Sequence, residues 1–256
     1  MHYGKERHIV SQPLITALIP GTGFPGLDDY RSRQAAFYSD DYGQRARYRQ
    51  HNAALLQQNR SPQVVFFGDS ITDGWDLAQS FPGKNYLNRG IGGQTTAQML
   101  VRFRQDVLNL RPQAVVILAG TNDIAGNTGP VSNLEIEENI MTFAELATLH
   151  GIQVVISSVL PVHDANPDSQ DLYAQRPRER LIALNHWLKS WSATQGFVWL
   201  DYATPMTDAC GKLITRYSDD GLHPNAEGYR VMAPLAENAV QAALSKGDGD
   251  SPSGSR

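Results

Sequence analysis

Cysteine is nearly absent from this chain of 256 residues, because Cys210 is its only one. A single cysteine cannot form an intramolecular disulfide, and neither paired cysteines nor a His-Glu-x-x-His sequence offers a familiar metal site. The sequence therefore predicts a protein without disulfides and without a metal or other cofactor.

The sequence also lacks a run of 18 apolar residues and an excess of positive charge. Without such a run no membrane span is predicted. The net charge of -4 and the isoelectric point near 6.0 give no general attraction to nucleic acid or anionic membranes. Residues 9–20 make a poor signal peptide, because Gln12 and Pro13 interrupt the apolar stretch. We expect a soluble, cytoplasmic protein, with a secreted or periplasmic location as the alternative.

What is present is an alternation of strand and helix patterns. Short apolar segments predict five strands, over residues 63–67, 86–88, 114–118, 153–158 and 197–200. Strands that alternate with helices are typical of a parallel sheet. A chain of this length with 41% hydrophobic residues can bury one sizeable core. We expect one α/β domain over residues 61–245.

Four segments carry helix signals between and after these strands. Capping boxes that begin at Thr95 and Ser132 predict two helices. Two more helices are predicted over residues 178–191 and 226–244. The last one must bend or restart at Pro234, because proline lacks the N–H donor for its turn.

The two ends of the chain show no pattern that would bury a core. Residues 21–26 match the G-x-G-x-x-G of dinucleotide sites by letter, but Pro25 breaks the flank and no strand precedes it. We expect residues 1–60 to form an irregular arm and then a packing helix within 44–60. Residues 246–256 have nothing to bury and are expected to be a disordered tail.

Ser70 directly follows the first predicted strand, in the sequence Gly68-Asp69-Ser70. In open α/β sheets, ligands bind beyond the carboxyl ends of the strands, which makes this hydroxyl a candidate nucleophile. A serine at such a place more often forms a turn or caps a helix. The catalytic interpretation therefore depends on partners elsewhere in the chain.

Three further segments beyond strand ends supply such partners. Gly93 offers a backbone N–H before a capped helix start, and Asn122 offers a side-chain amide to a developing oxyanion. A tight turn or a loop brace explains either residue alone about as well. Asp220 precedes His223 by three residues and could orient its imidazole as a base. With the Ser70 backbone N–H as a third oxyanion donor, the set contains every part that nucleophilic catalysis needs.

Some residues have competing interpretations. His163 and Asp164 also follow a strand, but adjacent side chains point apart, so this pair is a poorer base and orienter. Asp219 has a less favourable spacing from the histidine than its neighbour and is expected to face solvent. Trp75 could stack on a sugar, although a tryptophan at this place is more often part of the core.

Four segments together, Gly68-Asp69-Ser70, Gly92-Gly93, Gly120-Thr121-Asn122-Asp123 and Asp220-x-x-His223, resemble the four sequence blocks of the SGNH (GDSL) hydrolase family, in order. The resemblance spans roughly residues 63–244. It implies a flavodoxin-like, three-layer α/β/α fold with a central five-stranded parallel sheet, and esterase or lipase activity without a cofactor.

The resemblance also implies a role for each matching residue. Ser70 is the nucleophile, His223 the base and Asp220 its orienter, while Ser70, Gly93 and Asn122 form the oxyanion hole. The chain is similar to the lysophospholipase-like and platelet-activating-factor-acetylhydrolase-like branches. It departs from many members, which carry Ser-Gly-Asp where this chain has Gly92-Gly93-Gln94.

The substrate is less constrained by the sequence than the chemistry. We favour a serine esterase that cleaves short-chain esters, with acetyl groups on a carbohydrate or small alcohol as the first candidates. A thioesterase or lysophospholipase on the same residues is an alternative, and a non-catalytic carbohydrate-binding module is another. Residues that adjoin the site in sequence are expected to line the substrate pocket, namely Ile71, Gln94, Ile124 and Leu222.

Overall fold

Five short strands form one parallel sheet at the centre of the described part of the chain, which is residues 21–249 of a computed structural model. In chain order the strands are β1 (Val64–Gly68), β2 (Tyr86–Gly90), β3 (Ala114–Leu118), β4 (Gln153–Ser157) and β5 (Val198–Leu200). Their order across the sheet is β2-β1-β3-β4-β5, and every neighbouring pair is parallel. The predicted α/β fold with a five-stranded parallel sheet is confirmed.

Helices flank the sheet and connect its strands. They are α1 (Pro25–Asp41), α2 (Ala46–Gln57), α3 (Ser70–Asp73), α4 (Leu77–Ser80), α5 (Thr96–Asp106), α6 (Thr121–Ala125), α7 (Asn133–Leu149), α8 (Gln170–Ala174), α9 (Arg178–Gln195), α10 (Ala203–Met206) and α11 (Ala226–Gly249). Short 3-10 turns cover Leu108–Leu110, Pro167–Ser169 and Thr215–Tyr217. The capping boxes at Thr95 and Ser132 are both present, before α5 and α7.

Alternate side chains of the central strands enter two separate cores, because successive residues of a strand point to opposite faces. On one face, Phe67 meets Phe103 of α5 and Phe143 of α7, with ring centroids 5.2 and 5.7 Å apart. On the other face, Phe66 packs against Trp75, and Met232 of α11 belongs to the same core. Helices on both faces therefore make the three-layer sandwich.

The N-terminal region differs from the sequence prediction, because α1 is a helix of 17 residues and not an irregular arm. Pro25 occupies the start of the helix, where no N–H is needed and its fixed φ suits the first turn. Asp28 accepts the backbone N–H of Thr22 at 3.0 Å and ties down the preceding turn. Only Leu27 of α1 is buried, so no apolar periodicity reveals the helix in the sequence.

The C-terminal helix is longer than the predicted 226–244. Pro234 lies inside α11, which continues through it without a restart. Met232 and Ala236, on either side of the proline, are fully buried in the core, and this packing offsets the missing hydrogen bond. The helix ends at Gly249, four residues beyond the predicted domain end.

Residues 246–249 of the predicted disordered tail are therefore helical, as the end of α11. The poor signal peptide at 9–20 and the rest of the predicted tail, 250–256, lie outside the described residues. Within residues 21–249, no helix is both long enough and apolar enough to cross a membrane. The predicted packing helix within residues 44–60 is present as α2, whose Asn52 donates to the Gln105 carbonyl oxygen of α5 at 3.1 Å.

Candidate active site

Ser70 lies at the carboxyl end of β1, as the first residue of the short helix α3. The turn is tight, because a side chain at Gly68 would collide with the Thr72 side chain and the Leu118 carbonyl oxygen. Asp69 caps α3 by accepting the backbone N–H of Ile71 at 3.0 Å. Sterics and capping together hold the serine at the edge of the sheet.

His223 lies within hydrogen-bond distance of both predicted partners. Its Nε2 is 2.9 Å from Ser70 Oγ, and its Nδ1 is 2.6 Å from Asp220 Oδ2. The other carboxylate oxygen, Asp220 Oδ1, accepts the backbone N–H groups of Leu222 and His223 at 2.9 and 2.8 Å. The three side chains form one chain of contacts from carboxylate to imidazole to hydroxyl.

The Asp220 carboxylate is electrostatically suited to face a protonated His223 ring. Partial burial alone would favour the protonated form of Asp220, but hydrogen bonds from His223 and Leu222 outweigh it and lower its pKa to about 2. Asp220 is therefore ionised across the neutral range. An ionised carboxylate 2.6 Å from Nδ1 requires that this nitrogen carry a proton.

Gly93 and Asn122 lie next to the serine, at the ends of the neighbouring strands β2 and β3. Gly93 has a φ of +76°, and its carbonyl oxygen accepts Asn127 Nδ2 at 2.9 Å. Asn122 lies in the first turn of α6, and its Nδ2 donates to the Gln94 carbonyl oxygen at 3.0 Å. The structure thus brings together all five residues that the sequence motifs single out.

These residues open onto a cleft of about 580 Å³. Ser70, Gly93, Asn122, Leu222 and His223 form its floor. One wall comes from α1, with Gly26, Leu27, Tyr30 and Arg33, and the other from the segment around α8, with Asp168, Asp171, Leu172, Gln175 and Arg176. Asn127, which follows α6, also lines the cleft. Neither wall could be predicted from the sequence, because α1 buries only Leu27 and α8 buries no residue, so neither shows an apolar period.

Only one of the four predicted pocket residues lines this cleft, namely Leu222. Ile71 is fully buried in the core, because residues adjacent on a helix point in different directions. Gln94 is also fully buried, and its Nε2 donates to the Gly43 carbonyl oxygen at 2.9 Å. Ile124 lines a neighbouring cavity instead.

The competing residues have structural contacts of their own. His163 is buried, with Nε2 3.1 Å from the Ser218 carbonyl oxygen, while Asp164 pairs with Lys212 at 2.6 Å. Asp219 is exposed, and Trp75 is buried in the core. Among residues 21–249, no group of three or more His, Cys, Asp and Glu side chains could hold a metal ion.

Comparison with known proteins decides the family. The family model described as GDSL-like lipase/acylhydrolase matches residues 66–231, which is more than half of the chain. The chain belongs to this GDSL acylhydrolase family. It is an ester-bond hydrolase, as the sequence predicts. The matched residues include Ser70, Asp220 and His223 but exclude α1, which forms one wall of the cleft.

Individual relatives of this GDSL acylhydrolase agree with that family. A GDSL-like lipase structure from Bacteroides thetaiotaomicron is 36% identical, with a TM-score of 0.71, over 79% of this chain and 99% of that one. Platelet-activating factor acetylhydrolase IB subunit alpha2 of Rattus norvegicus is 35% identical over 75% of this chain and 82% of the relative. An uncharacterized lipoprotein of Bacillus subtilis is 35% identical over 44% of this chain and 54% of its own length. This chain therefore spans only about half the length of that lipoprotein.

Proposed function

We propose that this GDSL acylhydrolase is a serine esterase that hydrolyses short-chain carboxylic esters, acetyl esters in particular, through an acyl-enzyme intermediate. The observation that carries the proposal is the contact chain from Ser70 Oγ to His223 Nε2 at 2.9 Å and from His223 Nδ1 to Asp220 Oδ2 at 2.6 Å. This is the arrangement of nucleophile, base and orienter that acyl transfer requires.

The first half-reaction forms the acyl-enzyme. His223 Nε2 takes the Ser70 proton while Oγ bonds to the ester carbonyl carbon, and Asp220 stabilises the resulting imidazolium. The tetrahedral intermediate then expels the alkoxide, which leaves as the alcohol with the proton from Nε2. In the second half-reaction, water gives its proton to Nε2 and attacks the acyl carbon. The acid leaves, and the proton returns to Ser70 Oγ.

Three N–H groups are proposed to stabilise the oxyanion: the backbone N–H groups of Ser70 and Gly93, and the side-chain amide of Asn122. Two features support this assignment. In the described part of the chain, neither backbone N–H donates a hydrogen bond, so both are free for a ligand. Asn122 Nδ2 has two N–H groups, and the Gln94 carbonyl oxygen uses one of them.

The walls of the cleft support a short acyl chain and a polar alcohol. The aliphatic side chains that line it are three leucines, Leu27, Leu172 and Leu222. The remaining lining side chains are mostly charged or amide groups, which can bind a polar alcohol group. An acetyl group needs little apolar surface. The acetylhydrolase among the relatives points to the same acyl group.

A series of p-nitrophenyl esters from acetate to palmitate, run beside acetylated xylan, tests the substrate class. We expect kcat/KM to be highest for acetate or the next short chains and to fall steeply as the chain lengthens. A maximum at eight carbons or longer would contradict the proposal. Acetyl release from xylan would identify a carbohydrate ester as a substrate.

The Ser70→Ala variant tests the mechanism in the same assay. We expect turnover of p-nitrophenyl acetate to fall by roughly 10⁴-fold or more, with a thermal midpoint close to that of the wild type. Retained turnover would overturn the role of Ser70. Faster cleavage of thioesters or lysophospholipids than of acetyl esters would favour those substrates, and absence of any turnover in the wild type would favour a binding module.

A further inference from the structure

Arg176 is a buried cation in the wall of the cleft that no sequence motif singles out. It follows α8 and is 3% exposed. Its Nε donates to Thr121 Oγ1 at 2.9 Å, its Nη1 to the Leu172 carbonyl oxygen at 3.0 Å, and its Nη2 to Asn122 Oδ1 at 3.4 Å. Two of these three acceptors belong to α6, the helix that carries the candidate oxyanion donor.

The charge of this guanidinium is retained at neutral pH. Burial lowers the pKa of Arg176 to about 10, and the nearby carboxyl groups of Asp69 and Asp220 oppose that decrease. A positive charge in a site shielded from water acts more strongly on its neighbours than one at the surface. Arg176 therefore provides a lasting positive potential next to the site where the oxyanion forms.

The contacts of Asn122 fix the orientation of its amide. Oδ1 faces the guanidinium of Arg176, and Nδ2 donates to the Gln94 carbonyl oxygen at 3.0 Å. Rotating the Asn122 amide by 180° would turn its N–H groups toward the Arg176 guanidinium and its oxygen toward the Gln94 carbonyl oxygen. Both contacts would then be repulsive. The second N–H of Nδ2 is therefore held in one direction.

We propose that Arg176 is a positioning residue for the oxyanion hole: it orients the Asn122 amide toward the oxyanion and adds positive charge beside it. The inference rests on the proposed esterase function. Preorganised donors are effective because they need no reorganisation when charge develops. Loss of Arg176 should therefore lower kcat and leave KM almost unchanged, because the contribution appears only in the transition state.

A double-mutant cycle with Asn122 tests this role, with p-nitrophenyl acetate as the substrate of the full chain. We expect Arg176→Met to lower kcat by roughly 10- to 100-fold, and Asn122→Ala by roughly 100- to 1000-fold. In the Asn122→Ala background, Arg176→Met should lower kcat several-fold less than it does in the wild type, because the amide that it orients is gone and only the effect of its charge remains. Arg176→Lys should restore part of the loss through its charge.

Arg180→Met is the matched control. Arg180 also donates to a backbone carbonyl oxygen, that of Val131 at 2.7 Å, but it contacts neither Asn122 nor the cleft. We expect kcat within about twofold of the wild type. If Arg176→Met does not fold, Thr121→Val can be used, because it removes only the contact of Arg176 Nε. Thr121→Val should lower kcat several-fold in the otherwise wild-type protein, but not in the Asn122→Ala variant.

Two results would overturn the inference. Equal fold-losses from Arg176→Met with and without Asn122 would show that the arginine acts independently of the amide. A raised KM with unchanged kcat would make Arg176 a substrate-binding residue. Both results differ from failure of the proposed function, in which Ser70→Ala would retain its turnover.

Discussion

Asp219 and Asp220 are adjacent aspartates with different surroundings. Asp220 Oδ2 contacts the His223 ring, whereas Asp219 Oδ1 accepts Asn225 Nδ2 at 2.9 Å on the exposed side of the loop. The spacing in sequence is enough to choose Asp220 as the partner of His223, because an aspartate three positions before the histidine can contact its ring. Replacing each aspartate by asparagine, which has nearly the same shape but no charge, separates their roles.

Asp220→Asn should lower kcat by roughly 10⁴-fold, because the amide would favour the wrong tautomer of the His223 ring. Asp219→Asn is the matched control, and its kcat should stay within about twofold of the wild type. Steady-state hydrolysis of p-nitrophenyl acetate measures both. The reverse ranking would move the orienting role to Asp219.

Asp69 is a fully buried carboxyl group whose burial raises its pKa to about 6. Its Oδ2 has no hydrogen-bond partner among the described residues. The pKa of an aspartate in the unfolded chain is near 4. Between pH 4 and pH 6 the folded state therefore binds more protons than the unfolded state, and this residue makes the free energy of unfolding fall as pH rises.

Asp69→Asn keeps an oxygen to cap Ile71 and removes the buried charge. At each pH we compare the thermal midpoint of the variant with that of the wild type. The variant's midpoint minus the wild type's should be several degrees more positive at pH 7 than at pH 4. Differential scanning calorimetry at the two pH values measures this. The exposed Asp219→Asn should show no such difference, and a pH-independent effect of Asp69→Asn would contradict the assignment.

Sequence neighbours of the site residues show where prediction at the residue scale fails. Ser70 and Asn122 are singled out by the sequence blocks that resemble the family, and both line the cleft. Ile71 and Gln94 adjoin site residues in sequence but point away from the cleft, into the core and toward Gly43. Adjacency in sequence does not determine side-chain direction, which is set by the local helix or turn.

At the scale of elements, α1 is the main addition that the structure makes to the sequence prediction. Its residues Leu27, Tyr30 and Arg33 lie on one helical face and line the cleft. Tyr30 packs against Gly93, where a side chain on the glycine would collide with the tyrosine hydroxyl. The same hydroxyl lies 3.0 Å from that of Tyr38. The helix thus limits the space beside the candidate oxyanion hole.

Tyr30→Ala should widen the cleft and relax its preference for short chains. We expect the kcat/KM ratio of butyrate to acetate to rise by up to roughly fourfold for each methylene that gains apolar contact. Phe37→Ala on the exposed side of α1 is the control and should leave the ratio unchanged. An unchanged ratio in Tyr30→Ala would show that α1 does not limit the acyl pocket.

The strands and the helices that bury an apolar face against the sheet could be predicted, whereas the walls of the cleft could not. Apolar runs such as Val64–Gly68 bury both faces, and capping boxes mark the helix starts. By contrast, α1 buries a single leucine and α8 buries no residue, so neither gives a hydrophobic period. These elements are held by contacts with the rest of the fold, such as Arg31 Nε to the Gly126 carbonyl oxygen at 2.9 Å.

At the scale of the whole molecule, the sheet assembles the site. Ser70 and His223 are 153 residues apart in sequence, yet their side chains are 2.9 Å apart. The order β2-β1-β3-β4-β5 places β1 between β2 and β3, so that the segments after all three strands meet at one edge. The strand order is a tertiary property that the separate strand patterns do not contain. The contact between Ser70 and His223 therefore exists only in the folded chain.

The most direct measurement of the central claim is labelling with a fluorophosphonate, followed by mass spectrometry of the peptides. We predict one adduct, on Ser70, in the folded protein, and its loss in His223→Ala or after unfolding in denaturant. Labelling at Ser70 that persists in the unfolded chain would show that His223 does not activate it. An adduct on a different serine, with Ser70 unmodified, would contradict the account.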